Sequence, residues 1–304
     1  MSSDGNPACA CGIIPDGTLL PARVASDRNK QMILEYSFFQ NAILGSLLAS
    51  ILCGFVGTYI VARRLVFISG GITHASFGGI GLGVYLGINP ILSAMVFAVA
   101  SACGVQWMSR RGNVREDSAI AVFWTFGMSV GIICSFLTPG FMPDLSAYLF
   151  GNILTIGTAD LWLLGVLAAV VSLLFCLFMR LLVSIAFDPL FARSQRLPVT
   201  AVEYVMMALT AMTIVSTLRM VGIVLAMSLL TVPQMTANLF TYSFRRMIGL
   251  SIALGFVYCM AGLAVSYWCN VPSGASIIFV SILIYAVLKT IKTLFPKFRK
   301  CDKA

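Results

Sequence analysis

The sequence predicts an all-α polytopic membrane protein, and three observations carry that prediction. The chain is 59% apolar and only 10% charged, with a mean hydropathy of +0.96, whereas soluble domains carry about 25% charged residues. Its apolar residues fall into repeated runs that approach the ~20 a spanning helix needs. These runs are continuous, unlike the alternating ~10-residue strands of a membrane barrel. Finally, the Lys and Arg residues behind a net charge of +9 sit in short loops and at the C-terminus. That is the positive-inside pattern of a membrane protein, and it disfavours nucleic acid as a partner.

Residues 1–31 are polar, dotted with Gly and Pro, and lack the apolar core of a signal peptide. Membrane-like sequence begins directly after Met32. We therefore expect 1–31 to be a disordered tail or to precede the true start, and 32–304 to be one transmembrane permease-like domain. Of the nine cysteines, only Cys9 and Cys11 lie close together; most of the rest fall within apolar runs without CxxC spacing. They read as small packing residues rather than a disulfide framework or a metal cluster.

About nine spans follow, with eight to ten compatible with the pattern. They cover roughly 38–62, 66–87, 90–109, 117–138, 160–183, 202–219, 221–241, 247–269 and 274–295. The sixth and seventh are separated only by Arg219, Met220 and Val221, and could form one bent hairpin. Arg63-Arg64, Arg110-Arg111 with Arg115, the segment from Arg180 to Arg196, Arg245-Arg246 and the Lys297–Lys300 region fall on one side of an alternating topology. That side is expected to be cytoplasmic, with the C-terminus there and the N-terminus outside. Arg219 is the one basic residue placed outside.

Two connections have more character than linkers. Pro143 through Asn152 mixes aromatic and polar residues and suits a helix in the outer interface. On the inner side, Asp188 before Pro189 is an N-cap and first-turn signal, and Pro198 closes the segment. The result is a short cytoplasmic helix, which is either a docking surface or an ordinary connector.

The chemistry is notable for what is missing. No Asp, Glu, Lys or Arg lies near the middle of a span; Asp117, Asp160 and Glu203 fall at span ends. Proton- and sodium-driven carriers keep such groups at mid-depth. The chain also lacks a G-x-x-x-x-G-K-[ST] phosphate loop, so an ATPase, if used, is another chain. One histidine and no G-x-S-x-G leave no catalytic constellation. The chain reads as a non-enzyme, with no permanently bound cofactor.

That histidine, His74, lies in the most glycine-dense stretch. Gly71, Ala75, Gly79, Gly83 and Gly87 recur every four residues and form a small-residue ridge for close helix approach. Gly70 and Gly78 flank His74 by one turn each, which suggests an imidazole in a gap without bulky neighbours. Such a histidine is either a metal ligand or is hydrogen-bonded to a neighbouring helix carbonyl.

At these residues the sequence resembles the permease family of zinc/manganese-type ABC importers. The resemblance runs from about Met32 to Lys292. It is carried jointly by Val61-Ala62-Arg63-Arg64, Ile72-Thr73-His74-Ala75, Gly87-Ile88-Asn89-Pro90, Asp144 through Asn152, Phe187-Asp188-Pro189, Val221-Gly222, Thr231-Val232-Pro233 and Pro272-Ser273-Gly274-Ala275. It implies an ABC-3-type bundle in the inner membrane of a bacterium, working with a second copy of itself, a cytoplasmic ATPase that carries the ATP, and an extracytoplasmic metal-binding protein. By the same resemblance His74 is a ligand for the transported divalent metal, and Gly70, Thr73, Gly78 and Thr125 line the path. Asp188, Pro189, Phe191, Arg193 and Arg196 would then couple to the ATPase.

Two departures from the family stand out. Many members carry Asp where this chain has Gly70, and some zinc-type members carry His where it has Thr125. Losing a hard oxygen ligand favours zinc over manganese or iron. A vitamin- or siderophore-type permease, or a stand-alone metal carrier or channel, is the competing expectation. The glycine ridge fits a small ion better than a large chelate.

Overall fold

The computed structural model describes residues 37–112, 114–138 and 157–294. The expectations for residues 1–31, for the interfacial segment Asp144 through Asn152 and for the basic residues after 294 lie outside the described residues. The chain divides into two units between Gln40 and Asn41. Of the first, only residues 37–40 are described, as helix; all contacts below belong to the second.

The described residues form eleven helices: α1 (Ser37–Ala62), α2 (Val66–Tyr85), α3 (Pro90–Arg111), α4 (Glu116–Leu137), α5 (Thr158–Phe187), α6 (Pro189–Ser194), α7 (Val199–Val221), α8 (Ile223–Leu229), α9 (Val232–Phe240), α10 (Phe244–Cys269) and α11 (Ser273–Leu294). Among the described residues, eight spans are long and apolar enough to cross a bilayer, with α8 and α9 together making one of them. Helix α2, at 20 residues, is as long but diluted by glycine, serine and its histidine. With it the expected nine crossings are present.

The expected span boundaries move for physical reasons. The fifth span continues to Phe187 and the sixth starts at Val199, because charged residues that ended the apolar runs sit inside helices. The second ends at Tyr85, since Gly87 takes a φ of 68° in the turn that leads to α3. That turn is fixed by Asn89, whose side chain accepts from the Ile91 amide at 3.0 Å, with Pro90 in the first helical turn. The sixth and seventh spans are not one bent hairpin. Gly222, at φ 78° and ψ 168°, ends α7 in a conformation that a side chain would resist. A second break at Leu230–Thr231 separates α8 from α9.

Small residues set the helix spacing. A Cβ on Gly57 of α1 would stand 2.6 Å from the Leu230 carbonyl oxygen, so α1 presses directly on the second break. Gln234, fully buried, donates from Nε2 to the Cys53 carbonyl at 2.6 Å. The Tyr258 hydroxyl donates to Thr236 at 2.9 Å. These bonds tie α1, α9 and α10 together where lipid could not satisfy the polar groups.

Helix α2 is wedged between α3 and α4. A Cβ at residue 79 would lie 2.5 Å from the Ala94 Cα, and one at residue 83 would lie 2.8 Å from the Pro90 Cα. On the other side, a Cβ at residue 78 would lie 2.7 Å from the Gly127 carbonyl oxygen, and one at residue 81 would lie 2.6 Å from that of Gly131. The expected ridge is therefore split. Gly71 and Ala75 meet α4, Gly79 and Gly83 meet α3, and Gly87 lies beyond the helix with open space around it.

Candidate functional site

His74 lies on the α4 side of α2, and its ring is stacked on Trp124 with centroids 4.5 Å apart and planes 2° from parallel. Phe77 lies farther off, at 6.5 Å. The imidazole is half-buried. Its Nδ1 is buried and has no hydrogen-bond partner among the described residues. The alternative of a histidine bonded through Nδ1 to a helix carbonyl is therefore absent from this conformation. An unpaired buried ring nitrogen is costly unless something comes to it.

The expectation of an empty gap around His74 is corrected. One face of the ring is covered by Trp124. One turn above, the Gly78 position is closed by the α4 backbone and by Phe97, whose ring would lie 2.9 Å from an added Cβ. One turn below, at Gly70, a Cβ would meet the Met227 methyl at 3.0 Å and its sulfur at 4.0 Å. The small residues admit α4 and α8 instead of leaving space. What stays open is the edge of the imidazole.

Helix α8, which carries Met227, is the short piece between the two breaks, and the break is buried: Val221, Ile223 and Leu225 are at most 2% exposed. Irregular backbone at membrane depth is tolerated only when enclosed by protein or lining a cavity. Phe77, Leu218 and Ile223 pack together with Met128 and Met227 into a separate small apolar cluster. Helices α2, α4, α7 and α8 thus converge around His74, which brings one imidazole, one indole face and one thioether into the same region.

The other expected path residues are less directly engaged. Thr73 is fully buried, and its hydroxyl donates to the Ser69 carbonyl within its own helix. Thr125 is exposed on α4 beside Trp124, and its hydroxyl is satisfied by the Ala121 and Val122 carbonyls at 3.0 Å each. Among the described residues, no three His, Cys, Asp or Glu side chains come together as a metal cluster. Sequence reasoning missed Trp124 and Met227. A tryptophan inside a span, next to the position where relatives carry a histidine, was the available signal.

At the basic end, α6 forms as expected. Asp188 caps it, its Oδ1 accepting from the Leu190 and Phe191 amides at 3.1 and 2.9 Å. Pro189 occupies the first turn, and Ala192 is the residue that anchors the helix inward, packed with Ile185 and Val199. Leu190 and Phe191 are 74% and 56% exposed, and Arg193 and Arg196 are exposed beside them. This is an apolar and basic surface on a six-residue helix.

Beneath it lies a buried charge network that the sequence did not reveal. Glu203 of α7 is 4% exposed. Its Oε1 accepts from Arg63 at 2.9 Å, and its Oε2 accepts from Gln106 at 2.9 Å and from Arg110. Arg63 also donates to the Ile185 carbonyl at 3.3 Å, and Arg110 donates to Thr200 at 2.7 Å. The ends of α1, α3 and α5 are thereby tied to the start of α7, on both sides of α6.

Comparison with known proteins agrees with this architecture. The sequence profile of the ABC 3 transport family matches residues 35–292. An uncharacterised membrane protein of Synechocystis is 40% identical over 84% of this chain and 90% of its own length. The manganese transport system membrane protein MntC of Halalkalibacterium halodurans is 32% identical over 84% of this chain and 87% of its own. Among solved structures, a chain of PsaBC from Streptococcus pneumoniae superimposes with a TM-score of 0.76 at 28% identity, covering 87% of this chain and 95% of that one. A profile match over most of the chain, joined to relatives of this identity and coverage, establishes that the chain belongs to the ABC 3 transport family, as a membrane permease and not an enzyme.

Proposed function

We propose that this chain is the membrane-spanning permease of an ATP-driven importer of a divalent transition metal, with His74 as the ligand the metal meets within the membrane. The observation that carries the proposal is the unpartnered Nδ1 of His74 where α2, α4 and the broken α8 converge. Neutral imidazole is a general ligand for such ions. Stacking on Trp124 holds the ring plane fixed while its edge stays available. The Met227 thioether, beside Gly70 one turn away on the same face, is the nearest second donor we assign. Two protomers in a dimer would contribute one imidazole each.

Import would proceed by alternating access, with hydrolysis on a separate cytoplasmic ATPase driving the change between outward- and inward-open states and an extracytoplasmic binding protein delivering the ion. The exposed face of α6 is the ATPase contact in this reading, and the Glu203 network passes its displacement to α1, α3, α5 and α7. Manganese is the cargo named for the Halalkalibacterium relative. An imidazole and a thioether without a carboxylate are a softer set and favour zinc.

The test is radiolabelled uptake in cells that carry the whole transporter. We expect His74→Ala to lower zinc and manganese uptake at least tenfold while the complex still assembles and hydrolyses ATP. Unchanged uptake of both metals removes His74 from the path.

A further inference from the structure

At the basic end of the molecule, α5 and the start of α10 enclose an open groove of about 450 Å³. Its walls carry Arg180 and Ser184 from α5, with Ser243 and Arg245 from the start of α10; Val183 and Phe244 add apolar surface. No carboxylate lines it, and among the described residues both ion pairs belong to Glu203, so neither guanidinium is neutralised.

The position of this groove relative to the bilayer follows from α5 itself. Trp162, Val166, Val170, Leu173 and Leu177 are all exposed at helical spacing, which makes one continuous apolar stripe. Arg180 extends that stripe by one further turn. From Trp162 to Arg180 is 18 helical residues, or about 27 Å at 1.5 Å each, close to the ~30 Å hydrocarbon core. A tryptophan at one end and an arginine at the other are the usual interface anchors of a lipid-facing helix. The groove therefore opens sideways, at headgroup depth, in the leaflet on the side of the basic loops.

We propose that this groove is a binding site for an anionic phospholipid of the phosphatidylglycerol type. The phosphate diester lies between Arg180 and Arg245, which come from helices far apart in sequence and converge on one charge. The hydroxyls of Ser184 and Ser243 meet the phosphate and glycerol oxygens. An acyl chain runs along Leu177 and Leu173. Basic clefts between helices at the membrane surface recognise anionic headgroups in this way, and only a lipid satisfies the charged floor and the apolar stripe together. The proposal rests on the membrane placement of α5 and not on His74 or the identity of the metal.

Lipid retention tests it independently of transport. Purified protein in nonionic detergent is titrated with phosphatidylglycerol or phosphatidylcholine and examined by native mass spectrometry. We expect phosphatidylglycerol to be retained preferentially, with at least a tenfold loss in the R180Q/R245Q double variant and none in R246Q, whose arginine is exposed next door but does not line the groove. Phosphatidylglycerol carrying a photoreactive acyl chain, applied to the unaltered protein, should label residues 173–184 and 243–245. Equal retention of the two lipids, retention undiminished in the double variant, displacement by excess inorganic phosphate, or labelling confined to other helices would each overturn the proposal.

Discussion

At the scale of single residues, the region around His74 is defined by what glycine lets in. Gly70 admits the Met227 methyl, and Gly78 admits the Gly127 carbonyl and Phe97. The two positions differ in what they would tolerate. Next to Gly78 stands backbone, which cannot move aside. Next to Gly70 stands the end of a flexible thioether, which can. Gly70→Asp should therefore fold, and it would place a hard oxygen ligand one turn from His74. Manganese prefers carboxylate more than zinc does, so we expect manganese uptake to rise relative to zinc by about tenfold, a change of ~1.4 kcal/mol in relative affinity. The measurement is competitive uptake of the two ions; an unchanged ratio would assign selectivity to a step before the membrane. His74 and its glycines were legible in the sequence because a single titratable group in an apolar run marks itself. Trp124 and Met227 were not, because their roles arise from helices that approach only in the folded bundle, and indole or thioether groups look like ordinary packing residues along a span.

At the scale of elements, the nine crossings were legible because lipid demands one long apolar run per helix. The boundaries failed where a charge sits inside a helix. Arg180 stands where α5 emerges from the hydrocarbon, and Glu203 is hidden at the start of α7 by two arginines and a glutamine from other helices. Neither circumstance can be read from local composition. The cap of α6 was legible, since Asp before Pro specifies it by local chemistry alone. The two features should separate on mutation. Asp188→Ala removes two amide acceptors from an exposed helix, a loss of about 1 kcal/mol; it should leave the melting temperature of the permease nearly unchanged while abolishing the stimulation of ATP hydrolysis by the assembled transporter. Glu203→Gln leaves two buried guanidiniums facing a neutral amide, a loss of about 3 kcal/mol, and should lower the melting temperature clearly in detergent. Equal melting temperatures for the two variants would show that the network does not hold the bundle together.

At the scale of the whole molecule, the contacts fix which ends of the helices lie together. Glu203 joins the ends of α1 and α3 to the start of α7, and Arg63 reaches the end of α5. The groove places the start of α10 beside the end of α5, and Lys292 near the end of α11 donates to the Leu239 carbonyl at the end of α9. Every described basic cluster is thereby gathered at one end, while the turns at Gly87 and Asn270 lie at the other. The positive-inside rule assigns the basic end to the cytoplasm, and the exposed helix α6 then faces the compartment that supplies ATP. Thiol labelling in intact cells and inverted vesicles decides the orientation. Cys269, exposed at the end of α10, should react with a membrane-impermeant maleimide from outside, and that signal should vanish in Cys269→Ser. A cysteine introduced by Ser194→Cys on α6 should react only in inverted vesicles. The reverse pattern would turn the molecule over, placing α6 where no ATPase could reach it and removing the coupling role along with the inward direction of transport.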